Sequence, residues 1–455
     1  MKIAHHFSSQ AHALRILAIA GLLTGLLSQA IAQTPPPPPK QTPQPVVQET
    51  RLESLGRRIF GDKNLSEPAG MSCATCHTPN TGFANNNGSG IGVPLGSRSG
   101  VFGLRNAMSN AYGTFVPPFS FRVMNGDIDP VGGYFWDGRA DTLALQALGP
   151  FLASEEMNNP NVAAVVKKVA ASNYADLMRA EFGATIFNTP DLAYQKIGIA
   201  IAAFEATNAF QQFSSKYDAF VQGKTTLSAS ESNGMKLFMD PNRGNCASCH
   251  TMNPASKNPK DSLFADFAFY AIGVPRNKSI PANANPSFFD LGLCGPQRTR
   301  PALSNNLPAD VSIEKFCGTF RMVSLRNTAE RKAWMHNGVF KSLQEVVNFY
   351  STRNSDPKRW YGPAGVPNDL PAAYIGNIIS DRVPFNRPAS AGPVFTRTEA
   401  DDVVAFLRTL SDGFISNAPP PPAARPPLPP SPAARPSLPP PPIALSSSTK
   451  PQGVK

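Results

Sequence analysis

The chain has 455 residues, 41% hydrophobic and 16% charged, with a formal charge of +11. That length suits two ordinary domains with some chain to spare. The charge is no sign of nucleic-acid binding: residues 1–32 carry +2, 33–48 carry +1 and 416–455 carry +4, which leaves only +4 for the middle.

Residues 1–32 read as a signal peptide. Lys2 and Arg15 stand without an acid, the run Ile16 to Leu27 is apolar, and Ala30-Ile31-Ala32 supplies a small-residue cleavage site. The run is too short for a stable membrane span and no later stretch is long and apolar enough, so the expectation is an exported, periplasmic protein without a span. Cleavage removes His5, His6 and His12 and leaves His77, His250 and His336. Residues 33–48 follow as a Pro-rich linker, with seven prolines between Pro35 and Pro45. Such a stretch cannot bury a core and favours polyproline II.

From residue 49 the pattern becomes helical, with Leu52, Leu55, Ile59 and Phe60 on one face. Then comes Cys73-Ala-Thr-Cys-His77, written a second time as Cys246-Ala-Ser-Cys-His250. Cys-x-x-Cys-His lets two thiols bond the vinyl groups of a haem while the next His ligates its iron. A zinc site would bring two Cys-x-x-Cys pairs together and gives no reason for both to end in His, and a thioredoxin-like pair would sit in a βαβ pattern, which is absent. The predicted cofactors are therefore two haem c groups, attached through Cys73, Cys76, Cys246 and Cys249, with His77 and His250 on the irons. At most one further histidine, His336, remains for the far sides of both.

The surroundings of the two motifs repeat. Gly56-x-x-Ile59-Phe60 and Gly234-x-x-Leu237-Phe238 precede them, and an apolar helix closes each half, about Leu192 to Phe210 and Glu399 to Leu410. The expected fold is mainly α, with two tandem cytochrome c-like domains at 49–224 and 225–415 that meet near Gln222 to Leu227. Long loops rich in Gly, Asn, Pro and Ser lie between, and few strands are expected. Cys294 and Cys317 remain after the haem cysteines are subtracted. In an exported chain they form a disulfide or else two buried thiols, structural in either case. Residues 416–455 are a Pro-rich tail with a ten-residue repeat, expected to be disordered and to serve as a spacer, a tether or a docking segment.

The order of motifs resembles the bacterial di-haem cytochrome c peroxidase and MauG superfamily. The resemblance rests on the two haem motifs, Leu104-Arg105-Asn106-Ala107, Phe135-Trp136-Asp137-Gly138-Arg139, Ser324-Leu325-Arg326-Asn327 and Met335-His336-Asn337-Gly338. Peroxidases of this family cap the first iron with a histidine from the loop after the first motif. The corresponding stretch here, residues 91–100, has none, which implies an open first haem. The family's second haem takes its distal ligand fourteen residues after the His of the His-Asp/Asn-Gly motif, Met in most peroxidases and Tyr in the MauG branch. From His336 that position is Tyr350, with Met322 and Met335 off the register. Without the register, Tyr350 reads as a core aromatic on an amphipathic helix.

The resemblance assigns further roles. Trp136 matches the tryptophan between the haems. Gln146, Pro150 and Glu156 match the distal pocket of the first haem, with Gln146 positioning the ligand, Pro150 crowding the sixth position and Glu156 as general acid and base. Glu155 is the neighbouring alternative. Asn106 matches a calcium ligand, although Arg331 and Ala333 stand where Thr and Pro are usual. His336 is expected to hydrogen-bond near the second haem rather than to ligate iron. The implied function is that of a periplasmic MauG-type peroxidase, in which hydrogen peroxide generates a high-valent di-haem state that oxidises a Trp or Tyr of a partner protein. The alternatives are a cytochrome c peroxidase fed by a small cytochrome or cupredoxin, and a non-enzymatic electron-transfer or redox-sensing cytochrome.

Overall fold

The structure is a computed structural model and describes residues 48–124, 126–298, 307 and 310–415. The expected signal peptide, the linker up to residue 47 and the tail from residue 416 lie outside the described residues. Among the described residues the helices are α1 (Arg51–Gly61), α2 (Cys73–Cys76), α3 (Leu143–Leu152), α4 (Val162–Ala170), α5 (Ala175–Phe182), α6 (Pro190–Glu205), α7 (Lys216–Val221), α8 (Ala229–Met239), α9 (Leu343–Thr352), α10 (Pro357–Tyr361) and α11 (Arg397–Arg408). Two antiparallel pairs, β1 (Ser120–Met124) with β2 (Asp127–Val131) and β3 (Phe269–Tyr270) with β4 (Phe320–Arg321), are the sheets. The fold is mainly helical with few strands, and no helix among the described residues is long and apolar enough to cross a membrane.

Both halves are built on a helix pair that crosses at a glycine. α1 opens with a capping box from Thr50 and Glu53 and buries Leu55, Gly56, Ile59 and Phe60. It crosses α6 so closely that a Cβ on Gly56 would lie 1.9 Å from the Ala200 carbonyl oxygen. α8 opens with the same device, Ser228 and Glu231, and crosses α11, where a Cβ on Gly234 would lie 1.9 Å from the Asp402 carbonyl oxygen. A residue without a Cβ is what allows backbones this near to each other. These contacts explain why Gly-x-x-apolar-Phe precedes each haem motif.

One hydrophobic core runs from Leu55 to Phe210 and a second from Tyr217 to Leu410. The first closing helix stops at Glu205, short of the expected Phe210. The Thr207 hydroxyl donates to the Phe204 carbonyl at 2.8 Å and the chain folds into a 3-10 turn at Asn208–Phe210. That turn drops Phe210 onto Phe83, Phe204 and Phe60, with ring centroids 4.4, 5.1 and 5.8 Å away. Burial of one more aromatic outweighs one more helical turn. Cys294 and Cys317 are bonded to each other, with Cα atoms 5.0 Å apart.

Candidate active site

Two large clefts lie inside this framework, of about 1530 and 1600 Å³ counting their mouths. The first is lined by Cys73, Cys76, His77, Asn106, Trp136, Gln146, Pro150, Glu155 and Glu156. The second is lined by Cys246, Cys249, His250, Trp136, Met322, Met335, His336 and Tyr350. The side chains singled out from sequence thus gather in two places, while Cys294 and Cys317 lie in neither.

The cysteines fit covalent haem attachment. Cys73 and Cys76 are the ends of the single turn α2, which keeps both thiols on one side of the cleft, and Cys246 begins a 3-10 turn of the same kind. Each following histidine has its Nδ1 on a backbone carbonyl, His77 on Phe83 at 2.9 Å and His250 on Phe264 at 3.0 Å. A carbonyl only accepts, so Nδ1 carries the proton and Nε2 keeps a free lone pair, which is the tautomer a metal needs. Burial lowers the affinity of both rings for a second proton, taking His250 down to about 4. Neutral imidazoles on apolar walls beside paired thiols are the donor set of a c-type haem.

A register of 200 residues relates the far sides of the two clefts. Tyr134 bridges Ala140 as Trp334 bridges Phe340, and Phe135 and Met335 both have positive φ. Thr142 then caps α3 and Ser342 caps α9, each accepting from a backbone N–H three residues on. The faces turned into the clefts are Leu143, Gln146, Ala147 and Pro150 on α3 and Leu343, Val346, Val347 and Tyr350 on α9. This is the i, i+3, i+4, i+7 stripe of a helix. Pro150 and Tyr350 are therefore equivalent, each the eighth residue of its helix. One presents no ligating atom and the other presents a phenol. Burial pushes the Tyr350 phenol upward, the Cys249 and Cys246 thiols add to this, and Arg353 opposes it.

On the open side of the first cleft the two adjacent glutamates differ. Glu155 accepts from Gln297 Nε2 at 3.0 Å, and Gln297 in turn accepts from Arg139 at 3.2 Å. The Glu156 carboxyl has no hydrogen-bond partner among the described residues. Burial raises it to about 7, Glu155 adding to the rise and Arg139 reducing it. The loop 91–100 approaches the same cleft with Pro94 and Leu95. It is held by Asn87, whose amide exchanges two hydrogen bonds with Leu95, by Asn277 on the Ile91 carbonyl, and by Ser97 N–H on the Glu156 carbonyl. Nothing in it carries a metal-ligating side chain.

Trp136 lines both clefts and is 8% exposed. Its indole donates to the Asn106 carbonyl at 2.8 Å, and its own carbonyl accepts from Arg321 N–H. Asn106 turns its amide nitrogen to the carbonyls of Ala333 and Met335, at 3.0 and 3.1 Å. His336 stacks on Phe320 at 3.6 Å, and its Nε2 lies 3.2 Å from Asp369. Two members of the site escaped the sequence reading. Glu205 lines the first cleft, 2% exposed, bonded to Asn110 and with Oε2 unpartnered. Arg321 lines both clefts. No motif marks either residue: Glu205 is the last residue of α6 and Arg321 lies on β4, and each reaches its cleft only through tertiary packing.

The chain belongs to the di-haem cytochrome c peroxidase and MauG family: the model for di-haem cytochrome c peroxidase matches residues 50–226, and a relative 32% identical covers 79% of the chain. It is 32% identical over 368 residues to the methylamine utilization protein MauG of Paracoccus denitrificans, covering 79% of this chain and 88% of that one. It is 26% identical to the cytochrome c551 peroxidase of Pseudomonas aeruginosa, covering 67% and 72%. Among solved structures it is similar to the di-haem peroxidase BthA of Burkholderia thailandensis, with a TM-score of 0.74, 40% identity, and coverage of 82% and 90%. The protein is accordingly a haem-dependent oxidoreductase that acts on peroxide, and its cofactors are two c-type haems.

Proposed function

We propose that this chain is an exported, periplasmic peroxidase of the MauG type, which uses hydrogen peroxide to oxidise a Trp or Tyr residue of a partner protein. The observation that carries the reading is the pairing of Pro150 and Tyr350 at one helical position, the first presenting no ligating atom to its cleft and the second a phenol oxygen that could hold the iron of the other haem. When bound, the two haems supply the reaction with peroxide and hold the oxidising equivalents. The chain divides into two haem-binding domains, 49–224 and 225–415, with His77 and His250 as the proximal ligands.

Glu156, near neutrality in its proton affinity, takes the proton from the nearer oxygen of peroxide and returns it to the departing one. Gln146 orients the peroxide, and Pro150 brings no ligating side chain into the first cleft. Trp136, in the wall between the clefts, is the relay for electrons moving from the second site to the first. A tyrosinate at the second site favours the oxidised state over electron uptake, where a thioether would do the reverse. No step depends on calcium at Asn106.

The second reading is a cytochrome c peroxidase, favoured by the similarity to the Pseudomonas aeruginosa enzyme. EPR of the ferric protein before and after one equivalent of hydrogen peroxide, beside Tyr350→Phe, separates the two. The MauG-type reading expects a high-spin and a low-spin ferric signal that vanish together in the native protein, while the variant loses only the first. A low-spin signal that persists in the native protein, with fast peroxide consumption by a reduced small cytochrome, overturns it in favour of the peroxidase. No reaction with stoichiometric peroxide leaves a simple redox cytochrome.

A further inference from the structure

The wall shared by the two clefts is formed by Trp136, Arg321, Val323 and Arg331. Two of these four side chains are guanidinium groups, 6% and 7% exposed. Neither meets a carboxylate. Arg321 donates to the carbonyls of Phe135 at 3.2 Å and Met322 at 3.4 Å. Arg331 makes one long contact, Nη2 to the Ser324 carbonyl at 3.3 Å, and its Nε is buried without a partner.

Three other deeply buried arginines are provided for differently, while Arg298 shares an unpartnered Nε with Arg331 but lines neither cleft. Arg105 is held by Asp137 and Asp290, and Arg326 by both oxygens of Asp218. Arg353 donates to the Ile272 and Ile379 carbonyls and to Asn354, and it stacks on Phe385 at 3.7 Å. A guanidinium withdrawn from water without an anion is strongly unfavourable, so an unpaired pair of them facing two clefts calls for negative charge inside those clefts. Burial lowers both groups to about 10, and for Arg331 it is the sole cause.

Each c-type haem brings two propionate carboxylates. We propose that Arg331, with Arg321 beside it, is the counter-charge to haem carboxylates at the wall between the clefts, and that this built-in cation stands in place of a bound divalent metal. The Asn106 amide meets the Ala333 and Met335 carbonyls close by, so calcium content is the direct check on the same point. The proposal rests on the two haems and not on Tyr350 or on the identity of the oxidised substrate, so it survives failure of the MauG-type reading.

The test is made on the mature two-haem protein. Calcium per chain is measured by elemental analysis after purification in metal-free buffer. Midpoint potentials are then followed by optical titration for the native protein, Arg331→Met and Arg331→Lys. The expected results are no stoichiometric calcium, optical spectra indifferent to a calcium chelator, and a lowered potential in Arg331→Met. Losing a nearby positive charge favours ferric iron, by about tenfold in the ferric-to-ferrous ratio at fixed potential. Arg331→Lys should stay close to native. Loss of a haem from the Met variant alone points the same way, since Lys keeps the charge. One calcium per chain, a Met variant with native potentials, or equal loss of haem from both variants overturns the proposal.

Discussion

Removal of the Glu156 carboxyl should abolish a pH dependence that the native chain is built to have. With Glu156 held at about 7, the ionised fraction rises from about one tenth near pH 6 to about nine tenths near pH 8. If the ionised carboxylate takes the first peroxide proton, the second-order rate constant for peroxide should rise about tenfold over that interval; an exposed glutamate would already be ionised throughout it. Stopped-flow mixing of the ferric protein with peroxide reads this directly. Glu156→Gln should lose about 10²- to 10⁴-fold in rate, and the profile with it. The neighbours give signed controls. Glu155 raises Glu156 and Arg139 lowers it, so Glu155→Gln should move the inflection to lower pH and Arg139→Met to higher pH. A flat native profile, or a Gln variant within about threefold of native, would refute the assignment.

Two further outcomes test the scaffold. Gly234→Ala places a Cβ 1.9 Å from the Asp402 carbonyl oxygen, whereas Gly61→Ala meets nothing within 4 Å. The first should cost about 1–3 kcal/mol or more, seen as a lowered thermal midpoint, and the second close to nothing; equal midpoints would contradict the crossing. Burial raises Glu205 to about 8 from an ordinary 4.5. A raised carboxyl contributes stability that is full below the unfolded value and is lost as pH rises through the folded one. Thermal stability should therefore fall between about pH 5 and 8, by up to about 1.4 kcal/mol per pH unit, and Glu205→Gln should remove that slope.

The haem sites were legible because covalent attachment dictates both residue type and spacing. Two thiols must reach one porphyrin edge from a single turn, and Cys73 to His77 and Cys246 to His250 have no simpler use. Helix pairing was legible only in part. The repeated Gly-x-x-apolar-Phe was visible, but the partner helices that demand Gly56 and Gly234 lie more than a hundred residues away. The closing helix overran to Phe210 because periodicity cannot register the pull of Phe60, Phe83 and Phe204 on the far side of the core. The unpaired state of Arg331 and Arg321 was beyond reach of the sequence. A missing partner is a property of three-dimensional surroundings, and neither residue differs in type from the well-paired Arg105 and Arg326. Tyr350 stood between these cases. Its helix was plain from Val346, Val347 and Phe349, while its direction became plain only once Pro150 was seen at the same station of α3.

That shared station has an evolutionary consequence. If the two halves descend from one duplicated ancestor, the helix caps, the crossing glycines and the haem motifs had to be kept in both copies for either to fold. The eighth residue of α3 and α9 was under less restraint, because it lines a cleft. On the proposed function, specialisation of one centre for capturing small molecules and of the other for storing charge then required little more than a change at a single codon.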